Sequence, residues 1–154
     1  MRLNLGCGDT PLPGWVNLDI YPGEGVILCD LRKTWPYADS SVDAVRAWHI
    51  FEHLPDRVHT MNELWRVLAP GAIAEIQVPT VDGVAAFSSP THLSYWHRTT
   101  FLHFEAGTAH RERWGARDGI VARFRALRER TEVHADTVNL TIWLAAIKPE
   151  AEVA

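Results

Sequence analysis

Five short apolar segments punctuate the N-terminal half of the chain, each bounded by glycine, proline or aspartate: Arg2 to Leu5, Trp15 to Ile20, Gly25 to Cys29, Val42 to His49 and Ala72 to Val78. Runs of this length fit the strands of a buried sheet. Between the last two lies the clearest helical stretch. Asp56 is a good N-cap, Val58, Met61, Trp65 and Leu68 recur on one helical face, and Pro70-Gly71 is the expected stop. Strand, helix, strand with apolar strands predicts an α/β domain with a largely parallel sheet. Further on, Val138 to Ile147 reads as a long strand. Ile120, Val121, Phe124 and Leu127 allow a helix, while Arg128 to Ala135 can pair back through Asp136-Thr137. The expectation is a C-terminal strand pair.

A chain of 154 residues has room for one domain, expected over 1–148, with 149–154 as a loose tail. It buries roughly 70% of its unfolded surface, enough for a core without disulfides or a structural metal. A content of 47% hydrophobic and 22% charged residues excludes a disordered chain. No apolar run approaches the roughly 20 residues of a membrane-spanning helix, and Met1 to Asp9 do not read as a signal peptide. The two cysteines, Cys7 and Cys29, form no CxxC, which points to a reducing, cytoplasmic setting.

The net charge of −4 is unevenly spread. Arg111 to Arg130 holds seven arginines against three acids, a local +4, and the rest holds eight basic and sixteen acidic residues, a local −8. Blanket nucleic-acid binding is argued against, while a local basic patch leaves nucleic acid open as a partner. The segment reads as a solvated face with ordinary ion pairs, or as a docking patch for an anionic substrate.

Gly6-Cys7-Gly8 follows directly on the first strand, where glycines let a backbone approach a ligand closely. Asp19 closes the second strand and Asp30 the third, so in a parallel sheet Gly6, Asp19 and Asp30 share one edge. A carboxylate at the second strand end can accept two ribose hydroxyls, and one at the third can accept an exocyclic amine of adenine beside the backbone of Leu31. The set fits an adenosine; the alternative is that each aspartate merely caps a loop. A dinucleotide is not expected, because Pro11 stands where a third glycine would be needed.

Leu3-Asn4-Leu5-Gly6-Cys7-Gly8, Asn17-Leu18-Asp19, Cys29-Asp30-Leu31, the run Trp48 to Leu54 (Trp-His-Ile-Phe-Glu-His-Leu) and the run Glu63 to Gly71 together resemble a class I S-adenosylmethionine-dependent methyltransferase of the small-molecule type, over roughly residues 2–104. The resemblance implies a Rossmann-like seven-stranded sheet, mostly parallel with an antiparallel last strand, and S-adenosylmethionine as cofactor. It sets the methionine part against the backbone of Leu5, Gly6, Cys7 and Gly8, the ribose on Asp19 with Ile20 beside it, the adenine on Asp30 and Leu31, and the strand end Ala47, Trp48 and His49 beside the sulfonium. The chain departs from the family in three ways. Asn4 stands where an acid is usual, only Asp9 to Gly14 separate the glycine turn from the second strand, and helices before the first strand are missing. An open cleft, or one completed by a second copy in a homodimer, is therefore expected.

His49-x-x-Glu52-His53 sits at the same edge, and His92 follows the fifth strand. An oxygen or nitrogen nucleophile must lose a proton on methylation, and His49 and His92 are the candidate catalytic bases. The pattern is also similar to the Glu-x-x-Glu-His element of metal-dependent RNA 2′-O-methyltransferases and some ubiquinone-pathway enzymes. That makes His49, Glu52, His53 and His92 candidate ligands for a divalent metal. Glu-His-Leu is common in the superfamily without a metal, so none is assigned. Glu52 and His53 can instead cap and orient the loop entering the helix at Asp56. Trp96 is the expected substrate-facing wall. The function expected is methyl transfer to an O or N nucleophile of a small-molecule acceptor. The alternatives are a non-catalytic cofactor-binding or interaction domain, or an RNA methyltransferase.

Overall fold

Consecutive residues of the first strand, β1 (Arg2–Leu5), are buried from Leu3 onward, a pattern that needs cover on both faces of the sheet. The computed structural model describes residues 1–149, so the expected tail lies, Pro149 apart, outside the described residues. Beside β1 run β2 (Val16–Asp19), β3 (Val26–Leu28), β4 (Val42–Trp48) and β5 (Leu68–Pro79), all parallel, followed by the hairpin β6 (Phe124–His134) and β7 (Thr137–Ala146). The order is β3-β2-β1-β4-β5-β7-β6, with β7 antiparallel to both neighbours. This is the mostly parallel α/β sheet expected, with its antiparallel C-terminal strand.

The principal helix is α1 (Arg57–Val67). Asp56 caps it by accepting the His59 N–H at 2.9 Å. Met61, Leu64 and Val67 are fully buried, while Val58 and Trp65 pack at the margin of the core. The helix ends at Val67, before the expected Pro70-Gly71 stop. Proline disfavours helical backbone at Ala69, so the chain is already extended at Leu68 and enters β5 through Pro70. The short helices are α2 (Ala85–Ser88), α3 (Arg98–Phe101) and α4 (Ala109–Trp114), and a 3-10 turn spans Phe51–His53.

Residues 120–123 form no helix. Asn62 accepts the N–H groups of Val121 and Ala122 at 3.0 and 3.1 Å, which holds them open until Phe124 begins β6. The loop from β3 to β4 is fixed by fully buried Trp35, whose N–H donates to Glu63 at 2.7 Å and whose indole N–H donates to the Leu31 carbonyl at 3.1 Å. Arg66 binds Glu63 at 2.7 Å and the Trp35 carbonyl at 3.0 Å, so α1 clamps the stretch that follows Asp30.

The arginine-rich segment is largely engaged within the fold. Arg111 is buried and donates to the Ala122 carbonyl, Arg113 and Arg117 lie over the Trp114 ring, Arg128 lies over Trp143, and Arg123 and Arg130 pair with Glu112 and Glu132. This is the ion-paired reading of the segment. No helix among the described residues is long and apolar enough to cross a membrane.

Candidate active site

Connections run from β1 to β2 on one side and from β4 to β5 on the other, so the strand order reverses between β1 and β4. In open α/β sheets the carboxyl ends at such a reversal leave a ligand crevice. Here the crevice is a cleft of about 90 Å³. Gly6, Asp19 and Asp30 line it, and Ile20, Leu31, Ile50 and Leu54 add apolar surface. Five of the residues expected from sequence (Gly6, Asp19, Ile20, Asp30 and Leu31) therefore line one cavity.

Gly6 could be no other residue without rearrangement. Its φ is +59°, and a Cβ there would come within 2.5 Å of the Ile50 side chain. Gly8 has φ +49° but open space around it, and its N–H donates to Asp19 Oδ2 at 2.9 Å. The other Asp19 oxygen accepts the Tyr21 N–H at 3.0 Å. Leu5 and Ala47 are fully buried strand ends. Cys7 is buried too, and burial, helped by the nearby Asp19, pushes its thiol up, which makes it a poor nucleophile.

Asp30 is held by a residue that the sequence reading missed. Arg32 donates from Nε to Oδ1 at 2.8 Å and from Nη2 to Oδ2 at 3.0 Å, and this pairing holds the Asp30 carboxyl down at about 2. Arg32, Ile50 and Leu54 line the cleft as well. Ile50 and Leu54 were visible within the Trp48 to Leu54 run; Arg32 carried no signal beyond its place two residues after Asp30.

Trp48 is positioned differently from its neighbours. Its indole N–H donates to Glu75 at 3.0 Å and Arg46 lies over its ring at 3.7 Å, so only its backbone remains at the strand end. His49 has φ +53° and its N–H donates to the Gln77 carbonyl at 2.9 Å. Its Nδ1 lies 3.4 Å from Glu52 Oε1, with its side chain 46% exposed. The Glu52 carboxylate raises the imidazole above its ordinary value, against the opposing effect of burial.

Glu52, by contrast, is buried, and its Oε2 has no hydrogen-bond partner. Its backbone carbonyl accepts the N–H groups of Leu93 and Ser94 at 2.7 and 3.0 Å. His53 Nδ1 is 3.0 Å from the Thr91 carbonyl, and His92 Nδ1 is 2.8 Å from the Ala86 carbonyl. Thus Glu52 and His53 tie their turn to the 91–94 loop, which orients the stretch entering α1, while Asp56 caps the helix. His53 lines the cleft, whereas His49 and His92 do not.

Trp96 is not a substrate wall. It is fully buried between Phe51 and Phe101, with ring centroids at 5.7 and 5.1 Å, and its indole N–H donates to Ser94 at 3.0 Å. A bridge to Thr80 pulls its backbone onto the sheet, which the polar sequence around it concealed. The exposed aromatics nearby are Phe87 and Tyr95, stacked at 4.9 Å. A larger cavity of about 290 Å³, lined among others by Arg57, His103, Phe104 and His110, contains none of the expected site residues.

Residues 16–76 match the methyltransferase domain family. A stretch of 54 residues is 50% identical to methyltransferase GfsG of Streptomyces halstedii, covering 32% of this chain and only 19% of that protein. Among solved structures, a SAM-dependent methyltransferase from Methanosarcina mazei superposes with a TM-score of 0.64 at 14% identity, over 96% of this chain and 92% of that one. The [4+2]-cyclase SpnF superposes at 0.65 and 13% identity, over 96% of this chain and 74% of that one. The fold is therefore common to proteins whose reactions differ.

Proposed function

We propose that this chain, which matches the methyltransferase domain family over residues 16–76 and shares the fold of a SAM-dependent methyltransferase, is itself a class I methyltransferase that binds S-adenosylmethionine in the Gly6 cleft and methylates an oxygen or nitrogen of a small-molecule acceptor. The observation that carries the reading is that one cleft is lined by Gly6, which has no side chain and packs on Ile50, and by two carboxylates, Asp19 at the end of β2 and Asp30 just after β3. When bound, the cofactor supplies an electrophilic methyl group on a sulfonium.

The residues present fit that group. Asp19 has two oxygens, each already accepting one backbone N–H, and each keeps a further lone pair for a ribose hydroxyl. Ile20 would flank the sugar. Asp30 and the backbone of Leu31 would read the adenine edge between the apolar side chains of Leu31 and Leu54. The backbone of Leu5, Gly6, Cys7 and Gly8 would take the amino-acid portion, and the strand end Ala47, Trp48 and His49 would border the reacting methyl. His49, half-exposed and steered by Glu52, is the group that takes the acceptor's proton. His92, anchored on the Ala86 carbonyl, is the second candidate for that role. Much of the enzyme's contribution would be alignment of nucleophile and methyl. An RNA acceptor is less well supported, since most arginines of the basic segment are stacked or ion-paired.

Titration of S-adenosylmethionine and of its demethylated product into the protein tests the reading, followed by a methyl-transfer screen over a metabolite panel. Binding should be lost by roughly one to two decades in Asp19→Ala, the worth of charge-assisted hydrogen bonds to ribose. Absence of binding by the unaltered protein would overturn the proposal. Binding without transfer to any acceptor would favour a non-catalytic cofactor-binding domain.

A further inference from the structure

We propose that Glu52, His53 and His92 form a binding site for a divalent metal ion of intermediate softness, such as zinc, at the rim of the cleft. One ligand atom from each of the three lies within 4.8 Å of the others, with Glu52 buried and both histidines half-buried. His49, grouped with them by sequence spacing, is outside the cluster.

Three independent features favour a ligand over a packing accident. First, Glu52 Oε2 is buried without a partner. A buried carboxylate oxygen left unpaired is costly, and a cation in reach removes that cost. Second, both imidazoles are pinned the same way. His53 Nδ1 meets the Thr91 carbonyl and His92 Nδ1 meets the Ala86 carbonyl. A carbonyl only accepts, so each Nδ1 carries a proton, and in the neutral ring it is Nε2 that offers the lone pair. This is how metal-bound histidines are oriented: the second ring N–H is donated to a backbone carbonyl or carboxylate. Third, the two rings meet edge to face with centroids 4.9 Å apart, so both imidazoles sit at one place without stacking.

The donor set selects the ion. Two neutral imidazoles and one carboxylate suit zinc and similar ions better than magnesium or calcium, which prefer all-oxygen shells. Ligands sharing one zinc at its usual bond lengths sit roughly 3.4 Å apart. From separations of up to 4.8 Å the cluster has to close by up to about 1.4 Å, a movement assigned to the loop that carries the exposed residues Pro90 and Thr91. Three protein ligands leave one coordination position free, the mark of a site that meets a ligand rather than a purely structural one. His53 lines the cleft as well, which sets the site beside it. The inference does not depend on S-adenosylmethionine binding and can be tested in its absence.

The test is zinc chloride titrated calorimetrically into the chelator-treated full chain, with metal analysis after gel filtration and a visible spectrum of the cobalt-loaded protein. The expected result is one zinc per chain and ligand-field bands on cobalt binding. Glu52→Gln and His92→Gln should each weaken binding at least about tenfold, and His134→Ala, at the far end of β6, should leave it unchanged. Far-ultraviolet circular dichroism checks each variant. If His92→Gln fails to fold, Glu52→Gln, which preserves shape, decides the matter. No uptake by the unaltered protein, or equal uptake by Glu52→Gln, overturns the site. Loss of S-adenosylmethionine binding with zinc uptake intact would instead count against the proposed function alone.

Discussion

Asn4 on β1 donates its side-chain amide to Asn17 on β2 at 2.9 Å, and both residues are buried. Asn17 then accepts the Leu12 N–H at 2.7 Å and donates to the carbonyls of Leu12 and Trp15 at 3.1 and 3.2 Å. Parallel strands usually need a crossover helix between them. Here the loop of residues 6–15 does that work, and the asparagine pair supplies the hydrogen bonds that a helix would have made internally. Replacing Asn17 with leucine strands the Leu12 N–H and the Asn4 amide. Urea denaturation should show a loss of about 1–3 kcal/mol, and a change below about 0.5 kcal/mol, the range of ordinary surface substitutions, would refute the assignment.

The two glycines of the turn should differ in a measurable way. Gly6→Ala meets both left-handed strain and a Cβ within 2.5 Å of Ile50, whereas at Gly8 nothing lies within 4 Å and only the strain at φ +49° remains. Gly8→Ala should cost roughly 1–2 kcal/mol of stability. Gly6→Ala should cost more and displace Ile50 into the cleft, so binding of the demethylated cofactor should be lost there and only weakened in Gly8→Ala. Calorimetry on the two variants decides it; equal affinities would mean that the Ile50 contact does not shape the cleft.

Glu63 sets an acid limit on the fold. Hydrogen bonds from Arg66, together with the Trp35 N–H, hold its carboxyl below the ordinary value, against the opposing effect of burial. A depressed carboxylate contributes stability above its unfolded pKa, and the contribution fades as pH falls toward the folded value. The urea midpoint should therefore fall as pH drops below roughly 4.3, the ordinary glutamate value. Glu63→Gln should be less stable at neutral pH and show a shallower acid slope. Parallel slopes for the two proteins would exclude Glu63 as the titrating group.

The sheet was legible because its strands are short, apolar and closed by turn residues, and because Asp56 and Met61 mark α1 clearly. Asp19 and Asp30 could be placed on one edge since parallel strands end together. What could not be read were partnerships that close only in three dimensions. Arg32 claims both oxygens of Asp30, and Asn62 reaches 59 and 60 residues along the chain to hold Val121 and Ala122 extended. Trp96 misled for the same reason: its neighbours in sequence are polar, while its neighbours in space are Phe51 and Phe101.

That reversal makes the aromatic residues a test of where an acceptor sits. Trp96 is fully buried and Phe87 and Tyr95 are 54% and 43% exposed, stacked on each other beside the loop that carries His92. Truncating a buried tryptophan removes packing on all sides, so Trp96→Ala should lose about 3–5 kcal/mol of stability. Phe87→Ala and Tyr95→Ala leave no such cavity and should unfold near the parent's midpoint. If the pair forms the wall against which an acceptor packs, each should raise KM for the acceptor with little change in kcat, the signature of binding shared equally by ground and transition states. Cofactor affinity should be unaffected in both. An unchanged KM in both variants would move the acceptor away from this wall.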